Sequence, residues 1–293
     1  MNQEDVRSID FTKMSGAGND FVVLDNRKVM ISNQSEFARL ICDRRKGIGA
    51  DGLLLLEESN RADFMMKYFN SDGSYGGMCG NGGRCISRFA RDKGIVSGQE
   101  IKFEALDYIY KASILTAGVA LTMKEPTDFR LNQKIEIFKT SIHFHFVNSG
   151  SPHCVIFFDE NDALGSSFED FGIEKIGREI RNHQFFYPDG TNINFVKENQ
   201  SSAYSIRTYE RGVEAETLAC GTGSVAVALI ANRIKGSPSP ITIHVRSGES
   251  LNVDFHKIGD TLYDNVSLSG SANVVFTGTV KYNFATQSIV DIF

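Results

Sequence analysis

One short pattern occurs twice in this chain. Cys79-Gly80-Asn81-Gly82 and Cys220-Gly221-Thr222-Gly223 lie 141 positions apart (220 minus 79) in 293 residues, and each runs into a segment with helical patterning. Other parts return in the same order. Ser15-Gly16-Ala17-Gly18-Asn19-Asp20 leads into the run Phe21 to Asp25, and Ser149-Gly150-Ser151-Pro152-His153 leads into Val155 to Phe158. Gly49-Ala50-Asp51-Gly52 opens onto Leu53-Leu54-Leu55, as Gly190-Thr191-Asn192-Ile193 opens onto Asn194-Phe195-Val196. The strands read over Phe64 to Phe69 and Ala203 to Tyr209 end shortly before Cys79 and Cys220. A period of half the chain means two homologous domains, because a solenoid repeats every 20 to 50 residues or so. The two cysteines are then related by a pseudo-twofold axis.

The apolar spacing predicts a strand-rich α+β fold of two pseudo-symmetric domains, each a mostly antiparallel sheet or barrel wrapped around a central helix. Helices are expected over 80–92 and 221–232, with others over 36–45 and 173–182. Ala112 to Met123, Ser141 to Val147, Ile241 to Val245 and Asn273 to Val280 read as strands. Pro126 and its polar neighbours mark a linker. The expected extents are 1–126 for the domain carrying Cys79, with about 281–293 returning to it, and 127–280 for the domain carrying Cys220.

Composition removes several classes of function. The net charge of −5 gives no reason to expect nucleic acid or an anionic membrane as partner. Runs such as Leu53 to Leu56 and Val225 to Ile230 are too short to span a bilayer. Met1-Asn2-Gln3-Glu4-Asp5 lacks the basic and then apolar signature of an export signal, so the cytoplasm is the expected location. Five cysteines are an odd number, and Cys42, Cys79, Cys85, Cys154 and Cys220 follow no zinc or Cys-x-x-Cys spacing. Neither a disulfide scaffold nor a metal site is expected, and Cys42, Cys85 and Cys154 read as small buried apolar residues.

The glycine runs carry the chemistry. A cysteine at a helix mouth faces unpaired backbone N–H groups and the positive end of the helix dipole, which favour thiolate and bind anions. A phosphate loop would need a lysine and a Ser/Thr after its glycines, and neither run has them. A single Cys-Gly turn could serve backbone geometry alone, but two at equivalent positions suggest a paired acid and base.

The motifs resemble those of the diaminopimelate epimerases, racemases and epimerases that work without pyridoxal phosphate. The resemblance rests on Lys13-Met14-Ser15-Gly16-Ala17-Gly18-Asn19-Asp20-Phe21, Asn70-Ser71-Asp72-Gly73, Met78-Cys79-Gly80-Asn81-Gly82, Gly150-Ser151-Pro152-His153, Glu210-Arg211-Gly212 and Glu216-Thr217-Leu218-Ala219-Cys220-Gly221-Thr222-Gly223, and covers nearly the whole chain. It implies that Cys79 and Cys220 flank the substrate α-carbon, one as thiolate taking the α-proton and the other as thiol returning one, with no cofactor. It implies that backbone N–H groups at Gly80, Asn81, Gly221 and Thr222 hold the α-carboxylate, and that Asn19, Asn70, Ser151, Asn192, Glu210 and Arg211 are substrate ligands. His153 then supports the site through hydrogen bonds and is not the base. A homodimer is also implied. The chain departs from the usual family pattern at Ser151, where asparagine is common, at Gly52, where some members carry glutamine, and by one extra residue between Glu210 and Thr217. The alternatives are a cofactor-independent racemase of proline, hydroxyproline or another amino acid, an isomerase of the same fold that works without the cysteine pair, and a ligand-binding relative without activity.

Overall fold

The computed structural model describes residues 5–165, 167–200, 202–259 and 262–293, so Met1 to Glu4 of the N-terminal reading lie outside it. Contacts divide the chain into two compact units. One runs to Leu121 and takes up Gly270–Phe293, and the other is Thr122–Ser269. This corrects the expected extents at both joints: residues 122–126 belong with the second unit, and 270–280 belong with the first. Strand pairing is the reason, as the last long strand lies against the first.

The first unit contains β1 (Val6–Gly16), β2 (Asn19–Asp25), α1 (Asn26–Val29), α2 (Gln34–Ile41), β3 (Gly52–Glu57), β4 (Phe64–Asn70), α3 (Gly80–Asp92), β5 (Glu100–Ala105), β6 (Tyr108–Leu115) and β7 (Gly118–Thr122). The second contains β8 (Thr127–Ile137), β9 (Thr140–Asn148), β10 (Pro152–Phe157), α4 (Ile173–Arg181), β11 (Asn192–Gln200), β12 (Ala203–Glu210), β13 (Ala215–Thr217), α5 (Gly221–Lys235), β14 (Ile241–His244), β15 (Ser250–Ile258) and β16 (Leu262–Gly270). The chain then returns to the first unit as β17 (Asn273–Asn283) and β18 (Ser288–Ile292).

Internal duplication is visible in the ladders. In the first unit β1 is antiparallel to β2, β2 parallel to β3, β3 antiparallel to β4 and β4 parallel to β5. In the second, β9 is antiparallel to β10, β10 parallel to β11, β11 antiparallel to β12 and β12 parallel to β14. Parallel neighbours need a crossover. α3 therefore lies between β4 and β5, and α5 between β12 and β14.

Both crossover helices are enclosed by their own unit. In α3 the residues from Asn81 through Ser87 are all buried, and in α5 so are those from Gly223 through Ala231. Small residues make this possible. A Cβ on Gly82 would lie 3.0 Å from Leu54, and one on Gly83 would lie 3.1 Å from both Met78 and Phe103.

Two elements differ from expectation. The single strand read over Ala112 to Met123 is a hairpin of β6 and β7, with Leu115 opposite Gly118 and Ala112 opposite Leu121. Gly118 turns it with φ +103, a left-handed backbone that suits glycine. The helix expected to Arg45 stops at Ile41. Asp43 accepts the backbone N–H groups of Arg45 and Lys46 at 2.7 and 2.9 Å, which fixes a turn instead. Among the described residues, no helix is long and apolar enough to cross a membrane.

Candidate active site

Each unit brings residues of its own sequence motifs to the mouth of its central helix. In the first, Cys79 is the N-cap of α3, in extended backbone (φ −120, ψ 123), and makes no side-chain cap bond. Its carbonyl accepts Gly83 N–H at 2.7 Å. The N–H groups of Gly80, Asn81 and Gly82 precede that bond and point out of the helix end. A Cβ on Gly80 would meet nothing within 4 Å, so the mouth is open at that point.

A chain of amides and charges runs from this mouth into the unit. Asn81 accepts from Arg84 Nη2 at 2.7 Å and donates to Asn19 Oδ1 at 2.7 Å, and Asn19 donates to Asp51 at 3.0 Å. Asp51 and Asp20 are bridged by Arg44 at 2.8 Å to each, and Lys13 pairs with Asp20 at 2.8 Å. Burial opposes ionisation of Asp20, but Arg44 and Lys13 outweigh it and hold the carboxyl at about 2. Asn70 stands apart from this chain. It accepts from the Tyr68 hydroxyl at 2.8 Å and donates to Ser74 at 2.9 Å.

Tyr68 also accounts for Gly52. A Cβ there would lie 2.5 Å from the Tyr68 ring, so the tyrosine fills the space that a side chain at position 52 would need.

In the second unit, Cys220 is the N-cap of α5 in nearly the same backbone (φ −124, ψ 111), again without a side-chain cap bond. Ser224 donates to its carbonyl through both N–H (2.9 Å) and hydroxyl (3.0 Å). Gly221 opens the helix, and a Cβ on Gly223 would collide with Asn194 Oδ1. Thr222 Oγ1 lies 3.7 Å from Cys220 Sγ, 2.8 Å from His153 Nε2 and 3.2 Å from Ser151 Oγ. His153 is completely buried, and burial together with the charge of Arg211 pushes its pKa down to about 3. It is a neutral hydrogen-bonding group near pH 7.

Asn192 joins the remaining residues. It donates to Pro152 O at 2.9 Å and to Ser151 Oγ at 3.3 Å, and accepts Arg211 N–H at 2.9 Å. The Arg211 guanidinium reaches Asp189 O at 3.0 Å. Asn148, on the same turn as Ser151, is engaged by Gly150 N–H at 3.1 Å. Glu210 ends β12, and burial raises its carboxyl pKa. The extra residue is absorbed in the β12–β13 turn, where Glu210 pairs with Ala215 and both Gly212 (φ 91) and Glu214 (φ 61) are left-handed.

Several supporting residues escape the sequence reading. Arg84 lies inside α3 at 0% exposure. Arg207 is gripped by Glu216 through two bonds of 2.7 Å and by the carbonyls of Phe168 and Glu169, which anchors β13 just before Cys220. Asn194 and Tyr68 complete the set. Of the remaining cysteines, Cys42, Cys85 and Cys154 are buried; burial pushes the Cys42 thiol to about 12 and the Cys154 thiol well above its usual range.

Solved structures place the fold in a class. The chain matches a hydroxyproline epimerase from Agrobacterium vitis with TM-score 0.67 at 16% identity, over 94% of this chain and 93% of that one. It matches a phenazine biosynthesis protein of the PhzF family from Bacillus anthracis with TM-score 0.70 at 12% identity, over 94% and 99%. The fold is thus shared with hydroxyproline epimerase, proline racemase and PhzF-family structures.

Sequence comparison narrows this. A family model described as diaminopimelate epimerase matches residues 11–127 and 145–275. A diaminopimelate epimerase of Chlorobaculum tepidum is 45% identical over 91% of this chain and 99% of its own, and one of Archaeoglobus fulgidus is 38% identical over 94% and 97%. The chain belongs to the diaminopimelate epimerase family.

Proposed function

We propose that this isomerase interconverts LL- and meso-2,6-diaminopimelate, a step toward lysine and a peptidoglycan precursor, by proton transfer at one α-carbon. The observation that carries the mechanism is the repeated helix mouth: Cys79 and Cys220 cap α3 and α5 in matching extended backbone, and neither uses its side chain for capping. One sulfur removes the α-proton as thiolate, and the other, as thiol, delivers a proton to the opposite face, which inverts the centre. The α-proton is weakly acidic, so the carbanion needs charge stabilisation. Backbone N–H groups at Gly80, Asn81, Gly221 and Thr222 supply it by holding the α-carboxylate, more strongly as charge spreads into it.

The rest of the substrate is read by Asn19, Asn70, Ser151, Asn192, Glu210 and Arg211, with Glu210 on the distal ammonium and Arg211 on the distal carboxylate. A guanidinium suits two-point recognition of a carboxylate. In this reading no pyridoxal phosphate or metal takes part. The protein acts in the cytoplasm as a homodimer, and the exposed apolar side chains of Val274, Val275 and Phe276 on β17 support a surface covered by a second copy.

Incubation of reduced protein with LL-diaminopimelate in D2O tests the chemistry. Meso product carrying deuterium at one α-carbon, with the early substrate still protiated, is the expected result. Absence of both inversion and exchange sinks the substrate assignment, and proline and hydroxyproline in the same assay test the alternative racemase.

A further inference from the structure

The hydrogen bonds behind Cys220 have a direction that can be assigned atom by atom. Asn194 on β11 is fully buried. Its Nδ2 lies 3.0 Å from the Cys154 carbonyl, which can only accept, and its Oδ1 accepts from Thr208 Oγ1 at 3.0 Å. The amide orientation is therefore fixed. The second N–H of Nδ2 donates to His153 Nδ1 at 3.1 Å, so that nitrogen carries no proton. A neutral imidazole then bears its proton on Nε2.

That proton faces two hydroxyl oxygens, Thr222 Oγ1 at 2.8 Å and Ser151 Oγ at 2.9 Å. Ser151 Oγ also accepts from Asn192 Nδ2 at 3.3 Å, which leaves its own proton for Thr222 Oγ1 at 3.2 Å. Thr222 Oγ1 thus accepts from its neighbours on one side. Its own proton is left for Cys220 Sγ at 3.7 Å.

We propose that Asn194, His153 and Ser151 are positioning residues of a one-way donor chain that makes the Thr222 hydroxyl a fixed hydrogen-bond donor to Cys220 Sγ, favouring the thiolate of that cysteine. The proposal rests on the acid–base role of Cys220 given above. A hydrogen bond to the charged form of a group stabilises that form, and donors already polarised by their neighbours do so more strongly. The arrangement gives Ser151 a use of its own, since its hydroxyl can pass a hydrogen bond onward to Thr222. The titratable and charged groups on the elements that carry the chain or pack against it are His143 and His145 on β9, His153 and Cys154 on β10, Lys197 and Glu198 on β11, Tyr204, Arg207, Tyr209 and Glu210 on β12 with Arg211 just beyond it, Glu216 on β13, and Arg233 and Lys235 at the far end of α5.

The test is the pH dependence of Cys220 alkylation by iodoacetamide in the reduced, full-length protein, read on the Cys220 peptide by mass spectrometry. Thiolate is the reacting form, so the midpoint follows the thiol. Thr222→Val is expected to move the midpoint up by about one pH unit and slow alkylation at pH 7 by roughly tenfold, as losing one hydrogen bond to an anion predicts. Thr222→Ser should restore the original profile. Asn194→Asp reverses the relay, because a carboxylate accepts from Nδ1–H and leaves Nε2 to draw the Thr222 proton off the sulfur. It should shift the midpoint in the same direction as Thr222→Val and add nothing in the double variant.

Superimposable profiles for Thr222→Val and the unmodified protein overturn the proposal, as does failure of Thr222→Ser to restore the profile. Should Asn194→Asp fail to fold, the two Thr222 variants decide alone. Turnover by Cys220→Ala would instead overturn the functional reading, whereas a dead Cys220→Ala with an unshifted Thr222→Val removes the donor chain only.

Discussion

At the start of α3 the residue two beyond the cysteine is Asn81, whose amide is held between Arg84 and Asn19 and tied through Asp51 to Arg44. At the start of α5 the equivalent residue is Thr222, whose hydroxyl sits among His153, Ser151 and the cysteine itself. The backbones barely differ, with φ −120 at one cysteine and −124 at the other. Duplication has preserved the device that needs a strict backbone, a glycine-opened helix end packed into its sheet. It has left the polar support free to diverge, since amides and charges can steady one mouth as well as hydroxyls and imidazole steady the other. The two cysteines occupy equivalent positions in unlike surroundings.

The largest effect tests equivalence itself. Cys79→Ala and Cys220→Ala are each expected to cut turnover of LL-diaminopimelate by about a hundredfold to ten-thousandfold, since each removes one of the two proposed acid–base groups. Near-normal rates in either variant would break the pairing of the mouths. Next come the two buried arginines. Arg207→Met strips the half-buried Glu216 carboxylate of its two close bonds, leaving it Arg246 at 3.9 Å, and takes the donor from the Phe168 and Glu169 carbonyls, at a cost of about 3 to 5 kcal/mol. Arg84→Met mainly strips Asn81 Oδ1 of its donor, costing about 1 to 3 kcal/mol. Urea unfolding should therefore show the larger loss in the second unit, and the reverse order would mean that Arg84 carries more than its amide contact.

Acid should separate the units further, because all six histidines fall between positions 143 and 256. Burial depresses His145 to about 4 and His153 to about 3, from an ordinary value of 6.5. Unfolding raises each pKa, so the unfolded chain binds more protons below pH 6.5. This contribution to stability is complete above that pH and fades as pH falls toward 4 and then 3, by up to about 1.4 kcal/mol per pH unit for each histidine. In the first unit Asp20 begins to lose its contribution only below 3.8. Hydrogen exchange at pH 5 should show residues 122–269 losing protection first, and equal loss in both units would contradict the assignment. The smallest effects belong to Cys85→Ala, inside α3, and Cys154→Ala, in β10, a buried thiol from each unit. Each should cost about 1 kcal/mol in packing and leave turnover unchanged.

The sequence exposes those features that obey local rules. The start of α3 at Gly80 and of α5 at Gly221 could be read from a cysteine followed by glycine, and the length of α3 from its amphipathic spacing. The run Ala203 to Tyr209 reads as a strand, and β12 extends it by one residue, to Glu210. The β6–β7 hairpin was hidden because a single Gly118 interrupts an otherwise β-forming run. Longer-range relations leave no local mark. Arg84 and Arg207 look like ordinary helix and strand charges until the fold encloses them. Tyr68 gains its place only from the room left by Gly52. The pairing of Val6 with Asn283 joins residues at opposite ends of the chain, and no spacing rule reaches that far.

The ladder between β1 and β17 also sets an order of events during synthesis. The second unit is one continuous stretch, Thr122–Ser269, and every strand it needs has left the ribosome once residue 269 has done so. The first unit is begun earlier and finished later, because β1, paired with β2 from Thr12 to Gly16, lacks its other partner until residues 273–283 emerge. A growing chain therefore holds a sheet edge open at its oldest end while the younger unit can close. Premature termination near residue 270 would spare the unit that carries Cys220 and leave the one that carries Cys79 incomplete.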